Sequence, residues 1–310
     1  MIISLQKNPI LAKQKIRTLL TSYMPRILFV MFILPFSTFA QKQVNLTFFG
    51  GFSNYSGDLQ EKQFTLDQSH AAFGAGLSYE IQPKLLLRAA FALGKLSADD
   101  KFSSKTLNRQ RNLNFTSVLY DASLVADYSL FDLTEKRVTP YVFAGVAMFG
   151  FNPYTFDSTG AKYYLKNLST EGQGLLEYPD RKKYKNVQFS IPFGFGVRFR
   201  ITENAYIGYE VGIRKTFTDY IDDVSKTYVD EALLASNRGA KAVELAFRSN
   251  ELKDVNLDYP DDGTVRGGEK FKDWYYFSGI TLSIGLFNRS ESSFFGGKGK
   301  RGSTNCPRVW

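Results

Sequence analysis

The chain has 310 residues, 44% hydrophobic and 15% aromatic, with a formal charge of +9 and a mean hydropathy of −0.22. That length holds one or two domains, and the low hydropathy with no run near 20 apolar residues excludes a helical membrane protein. A single cysteine excludes an intrachain disulfide.

Residues 1–40 have the layout of an export signal. Lys7, Lys13, Lys15, Arg17 and Arg26 are their only charges, an apolar run follows at 27–34, and Thr38 and Ala40 supply small side chains for cleavage. The mature chain then begins near Gln41, and Met24 is an alternative start because Pro25, Arg26 and the apolar run already suffice for export. Without those five cations the charge falls from +9 to +4, which removes the main ground for nucleic-acid binding.

Eight segments then alternate apolar and polar side chains with period two, the mark of a strand with two unlike faces. They are 43–50, 71–81, 84–96, 116–130, 138–149, 187–201, 205–216 and 274–287. The sixth is the clearest: Val187, Phe189, Ile191, Phe193, Phe195, Val197, Phe199 and Ile201 share one face, and Gln188, Ser190, Pro192, Gly194, Gly196, Arg198 and Arg200 the other. Short turns at 82–83, 131–137 and 202–204 alternate with long connections at 51–70, 97–115, 150–186 and 217–273. The pattern predicts an all-β, transmembrane, antiparallel up-and-down barrel, eight strands with ten as the alternative, with short periplasmic turns and long extracellular loops.

A soluble calyx would alternate too, with the apolar face turned inward. Here the polar face carries small residues such as Ala72, Gly74, Gly76 and Ser78 rather than dense Lys and Glu, which suits a crowded interior. Glu80, Asp121, Asp127 and Glu210 face Arg88, Arg198, Arg200 and Arg214 on these rows, an interior charge network of balanced sign. Eight strands leave room only for side chains, so the expectation is a plug of ion pairs and no open pore. Aromatic residues near strand ends, namely Phe48, Phe49, Tyr79, Tyr128, Tyr141, Tyr206, Trp274, Tyr275 and Tyr276, are read as interfacial girdles.

Chemistry is thin elsewhere. The one histidine, His70, stands beside Ser69, and neighbours on a strand point to opposite faces, so these two do not form a nucleophile and base with each other, although another serine is not excluded. Asp219, Asp222 and Asp223 gather above the seventh strand as a weak cation candidate, with a network to backbone N–H groups or arginines as the favoured reading. Asp261-Asp262-Gly263 is a turn. The stretch 228–252 predicts one or two short helices broken at Gly239, with Val229, Leu233, Ala240, Val243 and Phe247 as apolar contacts. No cofactor fingerprint or phosphate loop is present.

The organisation is therefore a leader at 1–40, a barrel at 41–287 and a basic periplasmic tail at 288–310. In the tail, Lys298, Lys300, Arg301, Cys306, Arg308 and Trp310 are candidate partner-docking residues. Several stretches resemble a known family: Gly57-Asp58-Leu59, 73–79 (FGAGLSY), 139–145 (TPYVFAG), and above all 209–225 (YEVGIRKTFTDYIDDVS) with Cys306-Pro307. They resemble the PorG-like outer-membrane barrels of Bacteroidota type IX secretion systems. That resemblance implies a non-enzymatic component of a secretion complex, embedded in outer-membrane lipid. It would be associated with a periplasmic ring formed by a lipoprotein and its partner, with no cofactor and no small-molecule substrate. An adhesin or lipid-modifying hydrolase acting through its outer loops, or a small pore, are the alternatives.

Overall fold

A computed structural model of the protein describes residues 43–286, apart from 61, 63, 64, 133, 134, 254 and 256. The leader at 1–40 and the tail residues Lys298, Lys300, Arg301, Cys306, Arg308 and Trp310 lie outside the described residues.

The strands run in chain order as β1 (Val44–Ser56), β2 (His70–Gln82), β3 (Leu85–Asp99), β4 (Asn114–Ser129), β5 (Val138–Gly150), β6 (Tyr154–Phe156), β7 (Lys162–Tyr164), β8 (Val187–Arg200), β9 (Ala205–Thr216) and β10 (Trp274–Gly285). Eight of them pair antiparallel in the order β3-β2-β1-β10-β9-β8-β5-β4, and pairing of β3 with β4 closes the ring. Closure leaves no strand edge in hydrocarbon, the condition for a sheet to cross a membrane. β6 and β7 form a three-residue hairpin that leans on β4 outside the ring.

Seven of the eight predicted strands end within three residues of the observed bounds. The first departs most, running on from Gly50 to Ser56. Gly51 faces Gly279 across the β1–β10 pair, and a Cβ at Gly51 would meet the Ser278 carbonyl oxygen at 2.3 Å. Gly51, where the predicted connection begins, instead lets two strands approach closely.

The apolar rows face outward. Phe73, Val146, Phe189 and Phe195 are 60–68% exposed, while Asp127, Asp121 and Thr139 on the opposite rows are at most 1% exposed. In water such a surface would be costly; around a closed barrel it is the lipid-facing belt. Strands of 12–16 residues exceed the ~9–11 that a tilted crossing needs. Their surplus lies at the long-loop end, where the outward row turns polar at Lys95, Ser97 and Asp99.

Two expectations need correction. The interior is not small and charged throughout, because Leu96, Leu119, Phe149, Tyr275 and Phe277 fill it toward the long-loop end and join Tyr55, Phe115 and Ile221 in one core. Nor are all strand-end aromatics interfacial: Tyr141 and Tyr275 are buried inside, and Phe49 packs edge-on against Phe277. Parity decides this, since Tyr141 shares its row with Thr139 and Phe143. Glycines opposite make the space; a Cβ at Gly196 would lie 2.6 Å from the Tyr141 ring.

The long connections fold into a cap. It contains α1 (Thr106–Arg111), α2 (Leu165–Leu168), α3 (Glu231–Arg238) and α4 (Ala240–Ala246). Asp230 caps α3 by accepting from the Leu233 N–H, and Gly239, at φ +88°, separates α3 from α4 as expected. The buried apolar residues are Tyr228, Val229, Leu234, Ala242, Leu245 and Ala246. Of the predicted contacts, Val229 is in this core, Val243 packs against it and Phe247 meets the Tyr228 and Tyr259 rings, whereas Leu233 is only half-buried and Ala240 is exposed. The break at Gly239 restarts the helical phase, so one period of 3.6 does not run through both.

Candidate functional site

Two arrangements stand out, the charged lumen and the cap above it. In the lumen, β4 projects Asp127 toward Arg88 on β3 (3.2 Å) and Arg198 on β8, and Arg88 also meets Glu210 on β9 at 2.8 Å. Tyr141 donates its hydroxyl to Glu210 at 2.6 Å. One level toward the cap, Arg214 lies 3.5 Å from Asp121, which also accepts the Tyr275 hydroxyl at 2.7 Å. Each arginine rests against an aromatic ring, Arg198 on Tyr141 (3.8 Å), Arg214 on Phe277 (5.0 Å) and Arg88 on Phe143 (5.2 Å).

Six of the eight charges predicted for the interior thus form ion pairs with one another. Glu80 and Arg200 share the inward rows but stand nearer the short turns, half-buried. One cavity beside Arg88, Asp121 and Arg214 has a volume of about 40 Å³, room for water. Above it the aromatic core fills the interior.

The cap is fastened by buried arginines drawn from segments far apart in sequence. Arg111 grips Asp100 with two bonds (2.7 and 2.8 Å) and donates to the Arg266 carbonyl oxygen. Arg266 in turn donates to Glu171 at 3.0 Å and to the Asp223 carbonyl oxygen at 2.8 Å. Glu171, fully buried, accepts the Ser225 and Lys226 N–H groups as well. Arg248 ties α4 to β6 through the Thr155 hydroxyl and the Phe156 carbonyl. None of Asp100, Arg111, Glu171, Arg248 or Arg266 was predicted from sequence. Their only signal was isolated charge amid turn residues, as in Glu171-Gly172 and Arg266-Gly267-Gly268.

The three aspartates singled out above the seventh strand do come together, each holding protein donors. Ser225 donates to Asp219 (2.8 Å), Tyr55 and the Val224 N–H to Asp222 (2.6 and 2.9 Å), and Thr170 and Tyr184 to Asp223 (2.5 and 2.7 Å). Among the described residues no group of three or more His, Cys, Asp or Glu is placed to hold a metal ion. Burial pushes Asp223 up to about 6 and Asp219 to about 7, and holds Asp222 well above the ordinary carboxylate range.

His70 reaches a serine other than its neighbour, with Nε2 2.6 Å from the Ser97 hydroxyl. Among the described residues no carboxylate or amide bonds its second nitrogen, so the ring lacks the third group that orients a catalytic base. On the cap's flank lies an open groove of about 880 Å³, with Asp58, Gln60 and Lys105 among its polar walls and Leu107, Val265 and Phe271 exposed along it.

The fold is similar to solved outer-membrane barrels. Neisserial surface protein A is 10% identical, with 78% of this chain and 96% of that one covered at a TM-score of 0.39. OprG of Pseudomonas aeruginosa is 13% identical (79% and 98% covered, TM-score 0.36), and a major outer membrane protein of Thermus thermophilus is 11% identical (79% and 99%, TM-score 0.38). No curated protein matches the sequence. A family profile described as a domain of unknown function, DUF6089, matches residues 25–236, from the leader to α3. With more than half of its length matched, the chain belongs to the DUF6089 family.

Proposed function

We propose that this protein is a non-enzymatic outer-membrane barrel that serves as membrane anchor and interaction platform in a protein-secretion complex of the type IX kind. The observation that carries the reading is the filled lumen: ion pairs beside a cavity of about 40 Å³, and aromatic rings nearer the cap, occupy the barrel interior. A barrel whose interior is occupied by side chains acts through its surfaces. In this reading the signal is cleaved near Gln41, the short turns and the tail at 288–310 face the periplasm, and the cap faces outward. The type IX assignment rests on the resemblance carried by 209–225 and Cys306-Pro307. The tail's cations and Trp310 are the proposed contact with a periplasmic lipoprotein ring.

Deleting the gene and profiling secreted and surface proteins tests the role. A broad secretion defect is expected, and intact export rejects it. Affinity capture from solubilised membranes tests the tail: the full chain should recover periplasmic proteins that a form ending at Phe287 does not, and equal recovery rejects docking by the tail. The exposed Leu107, Val265 and Phe271 beside the groove favour a second reading, surface binding through the cap, in which loop deletion abolishes attachment and leaves export intact.

A further inference from the structure

We propose that Tyr55, Asp222 and Asp273 form a proton-held clasp that fastens the cap to the barrel mouth and releases it as the pH rises. Counting protons leads to it. The Tyr55 hydroxyl lies 2.6 Å from Asp222 Oδ2 and 2.9 Å from Asp273 Oδ1, yet it has one hydrogen to donate. The other oxygen of each carboxyl is already taken, Asp222 Oδ1 by the Val224 N–H (2.9 Å) and Asp273 Oδ2 by the Ile221 N–H (2.8 Å). The two short contacts to Tyr55 are both full two-centre hydrogen bonds, rather than one hydrogen shared between two anions, only if one carboxyl is protonated and donates to the phenol oxygen.

The surroundings keep that proton in place. Tyr55, Asp222 and Asp273 are at most 1% exposed. Gly57 is pressed against them, and a Cβ there would lie 2.0 Å from the Tyr55 hydroxyl and 2.1 Å from Asp273. Phe115 packs edge-on against the Tyr55 ring. The charged neighbours facing the two carboxyls are acids, Asp58 from the loop after β1 and Asp219 from the segment after β9. The cations of this region act elsewhere: Arg111 is bound to Asp100, Arg266 to Glu171, and Lys272 acts on Asp219. Burial comes first for both carboxyls; Asp58 and Asp219 add to it at Asp222, and Asp222 and Asp219 at Asp273, so both are held well above the ordinary carboxylate range.

Linkage sets the direction of the pH response. The folded protein binds more protons than the unfolded chain wherever the folded value is the higher one. The stabilisation is therefore complete below about pH 4 and declines as the pH climbs toward the raised folded values. Asp222 follows β9 and Asp273 precedes β10, so the clasp ties both ends of the 217–273 connection to β1. Loss of its proton leaves two buried anions sharing one hydroxyl. The cap then opens while the closed ladder of the barrel persists.

The test uses the full chain refolded in detergent micelles, with protease cleavage inside 217–273 mapped by mass at each pH and normalised to an unfolded substrate. Heat-modifiable gel mobility reports that the barrel stays folded. Cleavage of the wild type should rise on the order of ten-fold or more between about pH 5 and about pH 9. Asp273→Asn should flatten most of that rise, because its amide donates to Tyr55 as the protonated carboxyl does and its oxygen keeps the Ile221 N–H. Tyr55→Phe should leave the cap cleavable at every pH. Should Asp273→Asn not fold, Asp222→Asn makes the same substitution from the other side. A flat wild-type profile, or a folded Asn variant that tracks the wild type, overturns the proposal.

Discussion

Replacing Asp127 with alanine probes the lumen at its most heavily used acid. Asp127 is fully buried and accepts from Arg88 at 3.2 Å and from Arg198. After truncation Arg88 keeps Glu210 at 2.8 Å, whereas among the described residues Arg198 keeps only the Tyr141 ring, at 3.8 Å. One guanidinium is then left buried without a counter-ion, a loss of about 3–5 kcal/mol. Removing the charge together with its partner, as Asp127→Leu with Arg198→Met, orphans nothing and should recover most of that loss. Chemical denaturation in detergent micelles, followed by heat-modifiable mobility, measures both. A single variant that loses less than about 1 kcal/mol, or a double variant no more stable than the single, refutes the reasoning that this acid neutralises two buried cations.

On the lipid face, Phe195→Arg should cost about 2–4 kcal/mol by the same denaturation, since a cation in mid-belt meets acyl chains. Arg266→Ala should strip the buried Glu171 of its counter-ion, accelerating protease cleavage in the cap while the barrel's denaturation midpoint stays within error. Purified protein in planar bilayers should give no single-channel conductance above that of the lipid alone. Steady ohmic current would show that the ion pairs do not seal the lumen.

The barrel was legible because each strand carries two chemically unlike rows, and a one-residue slip would turn every Phe of 187–201 inward. Those rows therefore specify register as well as strand position, and the turn lengths specify which end is which. Asp127, Arg88 and Glu210 were found for the same reason, as charges on rows otherwise made of Gly, Ala and Ser. Where the inner row also carries bulky residues, at Leu96, Leu119 and Tyr275, alternation loses contrast, and the change from polar plug to aromatic core was missed. The cap was illegible for a different reason. Its fastenings join Arg111 to Asp100 and to the Arg266 carbonyl, Arg266 to Glu171, and Tyr55 to Asp222 and Asp273 across up to 218 positions. No local period encodes such partners.

The orientation of the rows is measured most directly by tryptophan quenching in vesicles made with bromine-labelled acyl chains. With Trp274 and Trp310 replaced by phenylalanine, a single tryptophan is placed at Phe189, Phe195 or Val146 on one row and at Phe143 or Phe149 on the other. The outer positions should be strongly quenched and the inner ones should not. Quenching at Phe143 and Phe149 with Phe189 and Phe195 untouched would mean that the aromatic rows of this barrel face its axis, and would contradict its assignment to the membrane.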